Sequence, residues 1–285
     1  MTIPEGKTLF LWQVKEVLKG NPAAIAERAA DMGLSAVFVK AADGIDPYNQ
    51  RQLALVWKDD IIGPLIEALA KVGIATWGWQ YIYGFYPAQE AQRAIERMKK
   101  YPFAGWVVDA EAEMKGAEGA ANVYMNTLRE ALPGATIGLT SYRYPTLHPE
   151  LPWRALLRKV DFHMPQVYWA AAHNPAQQLT RSIAELRALE KQLGLNVLPI
   201  VPAGAAYREH GWQPLASEMV DFVAAVREKD LPGYCMWEWG CAIRAGLEDT
   251  LMELDDYKPA PVVTLSVEER LEKLEKGARL AGWRI

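Results

Sequence analysis

Short apolar runs alternate with longer stretches whose apolar residues recur at helical spacing along most of the chain. The short runs, at residues 9–13, 36–40, 74–79, 106–110, 136–140, 161–168, 197–201 and 234–239, predict strands. Between them the helical period predicts helices over about 22–32, 61–72, 87–100, 118–131, 153–159, 175–192 and 214–229. The punctuation agrees. Pro22 and Pro87 stand where a first helical turn accepts proline, and Gly33 and Gly73 stand just past helix ends. Eight strands, each followed by a helix or a long connection, predict an α/β chain folded as a (β/α)8 TIM barrel. A doubly wound open sheet would favour a glycine-rich phosphate loop after an early strand, and no such loop occurs.

The pattern changes after Tyr257. Residues 258–261, Lys-Pro-Ala-Pro, read as a stiff linker. Ser266 and Glu269 are spaced as a capping box, and Leu271, Leu274, Ala278 and Ala281 make a narrow apolar stripe. The division is therefore a barrel at 1–257 and a linker with a short amphipathic helix at 258–285. Arg270, Leu271, Leu274 and Glu275 match the pattern of short three-stranded coiled coils, so self-association or an assembly contact through this helix is expected. The other reading is a helix folded on its own barrel.

The fourth strand carries the strongest chemical signal. An apolar run leaves Gly105 and ends in Asp109-Ala110-Glu111-Ala112-Glu113. Residues two apart on a strand share a face, so Asp109 and Glu111 point the same way. Two adjacent carboxylates separate their pKa values, which lets one serve as an acid while the other stays ionised. In a barrel the active site lies at the C-terminal strand ends. The residues there include Gln13, Lys40, Asp43, Gln80, Tyr81, Ser141, Tyr142, Gln166, Tyr168, Trp169, Tyr207, Trp237 and Glu238. This ring is aromatic and bears amides, a surface suited to sugar: aromatic faces stack on pyranose rings and amides bond hydroxyls.

Composition narrows the field. The 285 residues are 51% hydrophobic and 23% charged, as expected for a globular chain with a large core. Net charge is −4 and the pI about 5.7, which leaves no electrostatic footprint for nucleic acid. No apolar stretch is long enough to span a bilayer, so no membrane partner is expected. The N-terminus lacks a basic segment followed by an apolar one, which reads as no secretory signal. The chain is then made in the cytoplasm, with a virion or a cell surface open to it by a route other than the general secretory one. The two cysteines, Cys235 and Cys241, are expected as free thiols. Four histidines, at 148, 163, 173 and 210, form no metal-binding spacing, and no cofactor is expected. Eleven Trp and twelve Tyr stand against six Phe, an excess of rings with polar tips.

Residues 36–44, Ala-Val-Phe-Val-Lys-Ala-Ala-Asp-Gly, resemble the second strand of family 25 glycoside hydrolases, the lysozyme-type muramidases. Asp109-Ala110-Glu111 is similar to that family's Asp-x-Glu on strand four, and residues 136–141 and the Trp-rich strand eight fit as well. Met164-Pro165-Gln166-Val167-Tyr168 resembles instead the sixth strand of family 18 chitinases. Three departures stand out: Trp12-Gln13 replaces the family 25 acid of strand one, residues 164–169 lack the family 25 acid of strand six, and the longer acidic motif of family 18 is absent. The resemblance implies an N-acetylhexosamine polymer, peptidoglycan or chitin-like, as substrate and Glu111 as general acid. Asp109 would raise the pKa of Glu111 and hold the acetamide or the developing positive charge. Gln166 and Tyr168 would orient the sugar, Trp237 would floor the pocket, and Gln13, Lys40, Tyr142 and Trp169 would complete the binding ring. Glu238 would be the spare carboxylate. The alternative is a catalytically inactive glycan-binding or structural barrel carried on a phage or cell-surface assembly.

Overall fold

The computed structural model of the protein describes residues 2–53 and 56–255. Eight parallel strands close on themselves: β1 (Gly6–Leu11), β2 (Ala36–Asp43), β3 (Ala75–Ile82), β4 (Trp106–Ala110), β5 (Ile137–Tyr142), β6 (Phe162–Gln166), β7 (Ala203–Ala205) and β8 (Gly233–Trp237). Closure is explicit, because β1 pairs in parallel with both β2 and β8. The expected (β/α)8 barrel is the fold.

The helices cover the outside. They are α1 (Pro22–Asp31), α2 (Ile62–Lys71), α3 (Pro87–Lys100), α4 (Glu118–Ala131), α5 (Trp153–Leu157), α6 (Pro175–Leu193) and α7 (Ala216–Glu228), with α8 (Trp239–Ala245) and α9 (Glu248–Glu253) after the last strand. Local chemistry starts α1: Asn21 Oδ1 accepts from the amides of Ala23 and Ala24 at 3.1 and 3.2 Å, and Pro22 occupies a position whose N–H would have no partner. Gly194, at φ 62°, ends α6 in the left-handed conformation that glycine adopts without a Cβ penalty.

Alternation along each strand divides the core into two parts. Leu9, Val37, Val108, Leu139 and Met236 face the helices. Phe10, Phe38, Trp77, Trp79, Val107, Phe162, Met164 and Cys235 fill the barrel. So many large rings fit because small residues face them. A Cβ on Gly138 would lie 2.3 Å from the Phe162 ring, so only glycine at 138 lets that ring cross the interior. The interior is thus filled with apolar side chains, and polar groups collect at its C-terminal mouth.

The seventh strand differs from expectation. The run at 197–201 makes only one bridge, His163 with Ile200, and regular pairing begins at Ala203. Pro199 and Pro202 flank that bridge, and neither has an N–H to give to a ladder. The linker, the C-terminal helix and the self-association assigned to it lie outside the described residues.

Candidate active site

Inward parity brings Asp109 to the top of the barrel directly above Val107, while Val108 and Ala110 pack outward. Asp109 is buried, and Glu111, one step past the strand end, is half-buried. The two carboxyl groups hydrogen-bond to each other. Gln166, at the end of β6, joins them: its Nε2 donates to Glu111 Oε1 at 2.8 Å and to Asp109 Oδ1 at 3.3 Å. Burial raises the pKa of Asp109 well above the carboxylate range, and the charge of Glu111 raises it further. Burial also raises Glu111, opposed by the bonds from Gln166 and Asp109. The pair therefore retains a proton more readily than two exposed carboxylates would.

Three tyrosines surround the pair. Tyr81 donates its hydroxyl to Glu113, and burial with the nearby carboxylates holds Tyr81, Tyr142 and Tyr168 protonated. Trp237 forms the aromatic floor. Its ring meets Phe10 edge-on at 5.2 Å and Trp79 at 5.4 Å, and stacks beside Trp12 at 6.5 Å. Above it a cavity of about 390 Å³ is lined by Glu111, Gln166, Tyr168, Tyr207, Arg208, Glu209, Trp237 and Cys241. A second lobe of about 250 Å³ shares Gln166 and Tyr168 as a wall and is otherwise lined by Tyr142, Arg143, Tyr144, Leu147 and His148.

Lys40 lies beneath this surface. A β-bulge between Lys40 and Ala42 shifts the register, so that Lys40 is opposite Trp79 and Asp43 opposite Tyr81. Lys40 Nζ bonds Asp43 Oδ1 at 3.1 Å and sits over the rings of Tyr48, Trp79 and Trp12 at 4.6, 5.0 and 5.7 Å. Its charge lowers the pKa of Asp109, against the larger effects of burial and Glu111.

Several residues named from the sequence have other duties. Glu238, named as the spare carboxylate, is buried and caps α8, accepting from Gly240 N at 3.1 Å, from Cys241 N and from Trp12 N at 3.3 Å. Trp169 is buried on the helix side of the sheet, where it packs on Phe222 and donates to Glu218 at 3.2 Å, so it presents no face to a sugar. Gln13 lines a separate rim cavity with Lys15, Lys19, Tyr48 and Asn49. Gln80 and Ser141 have the outward parity: Gln80 bonds Gly44 O, Glu90 O and the Tyr124 hydroxyl, and Ser141 bonds Ala110 O. His163 is a core residue against Trp153, and burial lowers its pKa to about 3. Reading the strand ends missed Arg143, His148, Arg208 and Glu209, which enter the cleft from loops that carry no periodic signal, and Cys241, which enters it from the first turn of α8. Both cysteines are free. No group of three or more His, Cys, Asp or Glu side chains among the described residues could hold a metal ion, and no described helix is long and apolar enough to cross a membrane.

Comparison with solved structures places this architecture. A chitinase domain from Pyrococcus furiosus superposes with a TM-score of 0.62 at 12% identity, covering 83% of this chain and 84% of that one. The chain shares the barrel fold of glycosidases. A GH18 chitinase from Cycas revoluta, solved with (GlcNAc)4, gives a TM-score of 0.60 at 11% identity over 87% of this chain and 99% of that chain. An endo-β-1,4-mannanase from Thermotoga petrophila gives 0.62 at 10% identity over 82% and 68%. Family models and curated protein sequences give no match.

Proposed function

We propose that the protein is a glycoside hydrolase cleaving an N-acetylhexosamine polymer, with Glu111 as general acid. One observation carries the reading: a buried carboxyl group, Asp109, and a half-buried one, Glu111, accept from a common donor, Gln166, at the wall of a cleft floored by a tryptophan. Glu111 lines the open cavity and Asp109 does not. Glu111 is thus the member that reaches a glycosidic oxygen, and Asp109 supplies it with a proton through their shared bond.

The nucleophile then comes from the substrate. The acetamide oxygen attacks the anomeric carbon as Glu111 protonates the departing oxygen, closing an oxazolinium ring. Asp109 accepts the acetamide N–H, and Tyr168 and Gln166 orient the group. Glu111, now ionised, takes a proton from a water molecule that opens the ring. Trp237 stacks under the sugar whose bond breaks. A second reading, direct displacement, is favoured by Glu209, whose residue lines the same cavity.

The two readings differ in one measurement. Chito-oligosaccharides and their de-N-acetylated counterparts are offered to the enzyme, and reducing ends are counted. Acetamide participation predicts turnover of the first and loss of nearly all turnover of the second. Equal turnover selects Glu209. Binding without turnover of any glycan selects the inactive glycan-binding barrel.

A further inference from the structure

A groove of about 220 Å³ lies on the outside of the barrel, away from the cleft. One wall is α7, with Val220, Val223, Ala224 and Arg227, and the other is the chain leaving α9, with Glu253 and Asp255. Val220 is 55% exposed, and Ala224, one turn on, is exposed as well. Two apolar side chains four residues apart share a helix face, so they form an uncovered strip that leads up α7 from Arg227.

The chain enters this groove from a fixed point. Lys7, near the start of β1, is buried and donates to the carbonyl oxygen of Leu254 at 2.8 Å. Tyr234, near the start of β8, donates its hydroxyl to the carbonyl oxygen of Asp255 at 2.7 Å. Arg227 and Asp255 form an ion pair of 2.5 Å at the groove's edge. A chain end is ordered where it is tied down, and a buried ammonium is stable only with acceptors around it. Groups from β1, β8 and α7 thus hold Asp255 at the N-terminal end of the barrel, opposite the catalytic mouth, and start the next residues beside α7.

The sequence that follows matches the strip. Residues 259–265, Pro-Ala-Pro-Val-Val-Thr-Leu, carry no charge, and the two prolines restrict the backbone before any contact is made. Docking such a segment loses little conformational entropy. The reach suffices: Arg227 to Val220 is about 10 Å of helix, and residues 256–263 extended span up to about 26 Å. A segment tethered at the groove's edge is present there at an effective concentration on the order of millimolar, which a second copy of the chain does not match in dilute solution.

We infer that residues 259–263 of the same chain lie in this groove, with Val262 and Val263 covering Val220 and Ala224. The segment is then a strap on α7 in place of a free linker, and the helix expected after Ser266 starts from a fixed point on the barrel, not from a tether.

Alkylation of full-chain variants carrying one new cysteine tests it. Ala224→Cys lies in the groove, and Ser217→Cys lies on the same exposed face of α7 outside it. Peptide masses locate each modified site, so Cys235 and Cys241 are read separately. At micromolar protein Ala224→Cys is expected to react about tenfold or more slowly than Ser217→Cys, by the effective-concentration argument. Adding Val262→Asp and Val263→Asp to the same chain is expected to abolish that protection, because a carboxylate does not enter an apolar groove unpaired. Equal rates at the two positions, or protection that survives both Asp substitutions, would overturn the strap. Protection that grows with protein concentration would overturn it as well and assign the groove to a second copy. A second measurement leaves the strap's charge unchanged. A short bismaleimide is expected to join Val220→Cys to Val262→Cys within one chain, read as a cross-linked monomer. Links formed only between chains, or no link at all, would count against the strap.

Discussion

Lys40 and Asp43 form an ion pair of 3.1 Å inside the barrel mouth, although strict alternation would put positions 40 and 43 on opposite faces of β2. The bulge between them supplies the odd residue that turns Asp43 inward. The two charges act on Asp109 with opposite sign: Lys40 lowers its pKa and Asp43 raises it. Lys40→Met is therefore expected to move the titration of the Asp109/Glu111 pair to higher pH, and Asp43→Asn to move it to lower pH. The pH profile of kcat/KM, or carboxyl NMR of the labelled chain, reads both directions. Shifts of the same sign in the two variants would contradict the placement.

Asp109 also sets a pH dependence of stability. Its folded pKa lies above the unfolded value, so the native state holds a proton that the unfolded chain has released. Stability is therefore highest below the unfolded pKa and declines as pH rises from there toward the folded pKa, by about 1.4 kcal/mol per pH unit for this group alone. Asp109→Asn removes the decline. The variant is expected to melt higher than the wild type at pH 7 and level with it near pH 3. A lower Tm at pH 7 would show that the ionised carboxyl is held by favourable partners instead.

Glu111→Gln is expected to lower kcat by ~10²–10⁴ while leaving the fold and Tm near wild type, the usual loss on removing a general acid. Glu209→Gln separates the two mechanisms from the protein side. With the acetamide as nucleophile, its loss changes kcat by less than about threefold, because an exposed loop carboxylate then takes no part in bond making. A loss matching that of Glu111→Gln would assign Glu209 the nucleophile's role.

Glu238→Ala is expected to act on stability. It removes the cap of α8 and leaves the Trp12 amide without its acceptor, a combined cost of ~2–4 kcal/mol. Thermal unfolding checks it, with Glu238→Gln, which keeps one acceptor oxygen, falling between. A glycosidase defect in Glu238→Gln at unchanged Tm would return that residue to the chemistry.

Gly138→Ala probes the packing that supports the mouth. The added methyl meets the Phe162 ring in a filled interior, and overpacking of this kind costs ~1–3 kcal/mol. Pairing it with Phe162→Leu is expected to recover part of the loss, which Tm of the double variant measures.

The barrel was legible because its signals are local. A strand buried on both faces reads as an apolar run, proline and glycine mark helix ends wherever they occur, and Asp109 and Glu111 share a face by a period of two that needs no partner. Position along a strand was legible too, so the mouth residues could be named. Position alone does not give parity: Gln80 and Ser141 stand at strand ends but point outward, while their neighbours Trp79 and Thr140 have the inward parity. The boundaries of β7 are not legible locally, because its prolines only show their effect when a neighbouring strand asks for an N–H.

What the chain alone determined is the order of eight strands and helices, the filled interior, and the pairing of two carboxylates on one face at the end of the fourth strand. These follow from backbone periodicity and from side chains that bury or do not. Only the tertiary structure decided which groups meet across the barrel. Gln166 reaches Asp109 and Glu111 from two strands away, and the bulge in β2 turns Asp43 toward Lys40. Closure spends Glu238 on a helix start and Trp169 on the outer layer, and loops bring Arg143 and His148 to the cleft wall. Such meetings depend on register between strands, and register is set by the closure of the whole barrel, which no local stretch of sequence contains.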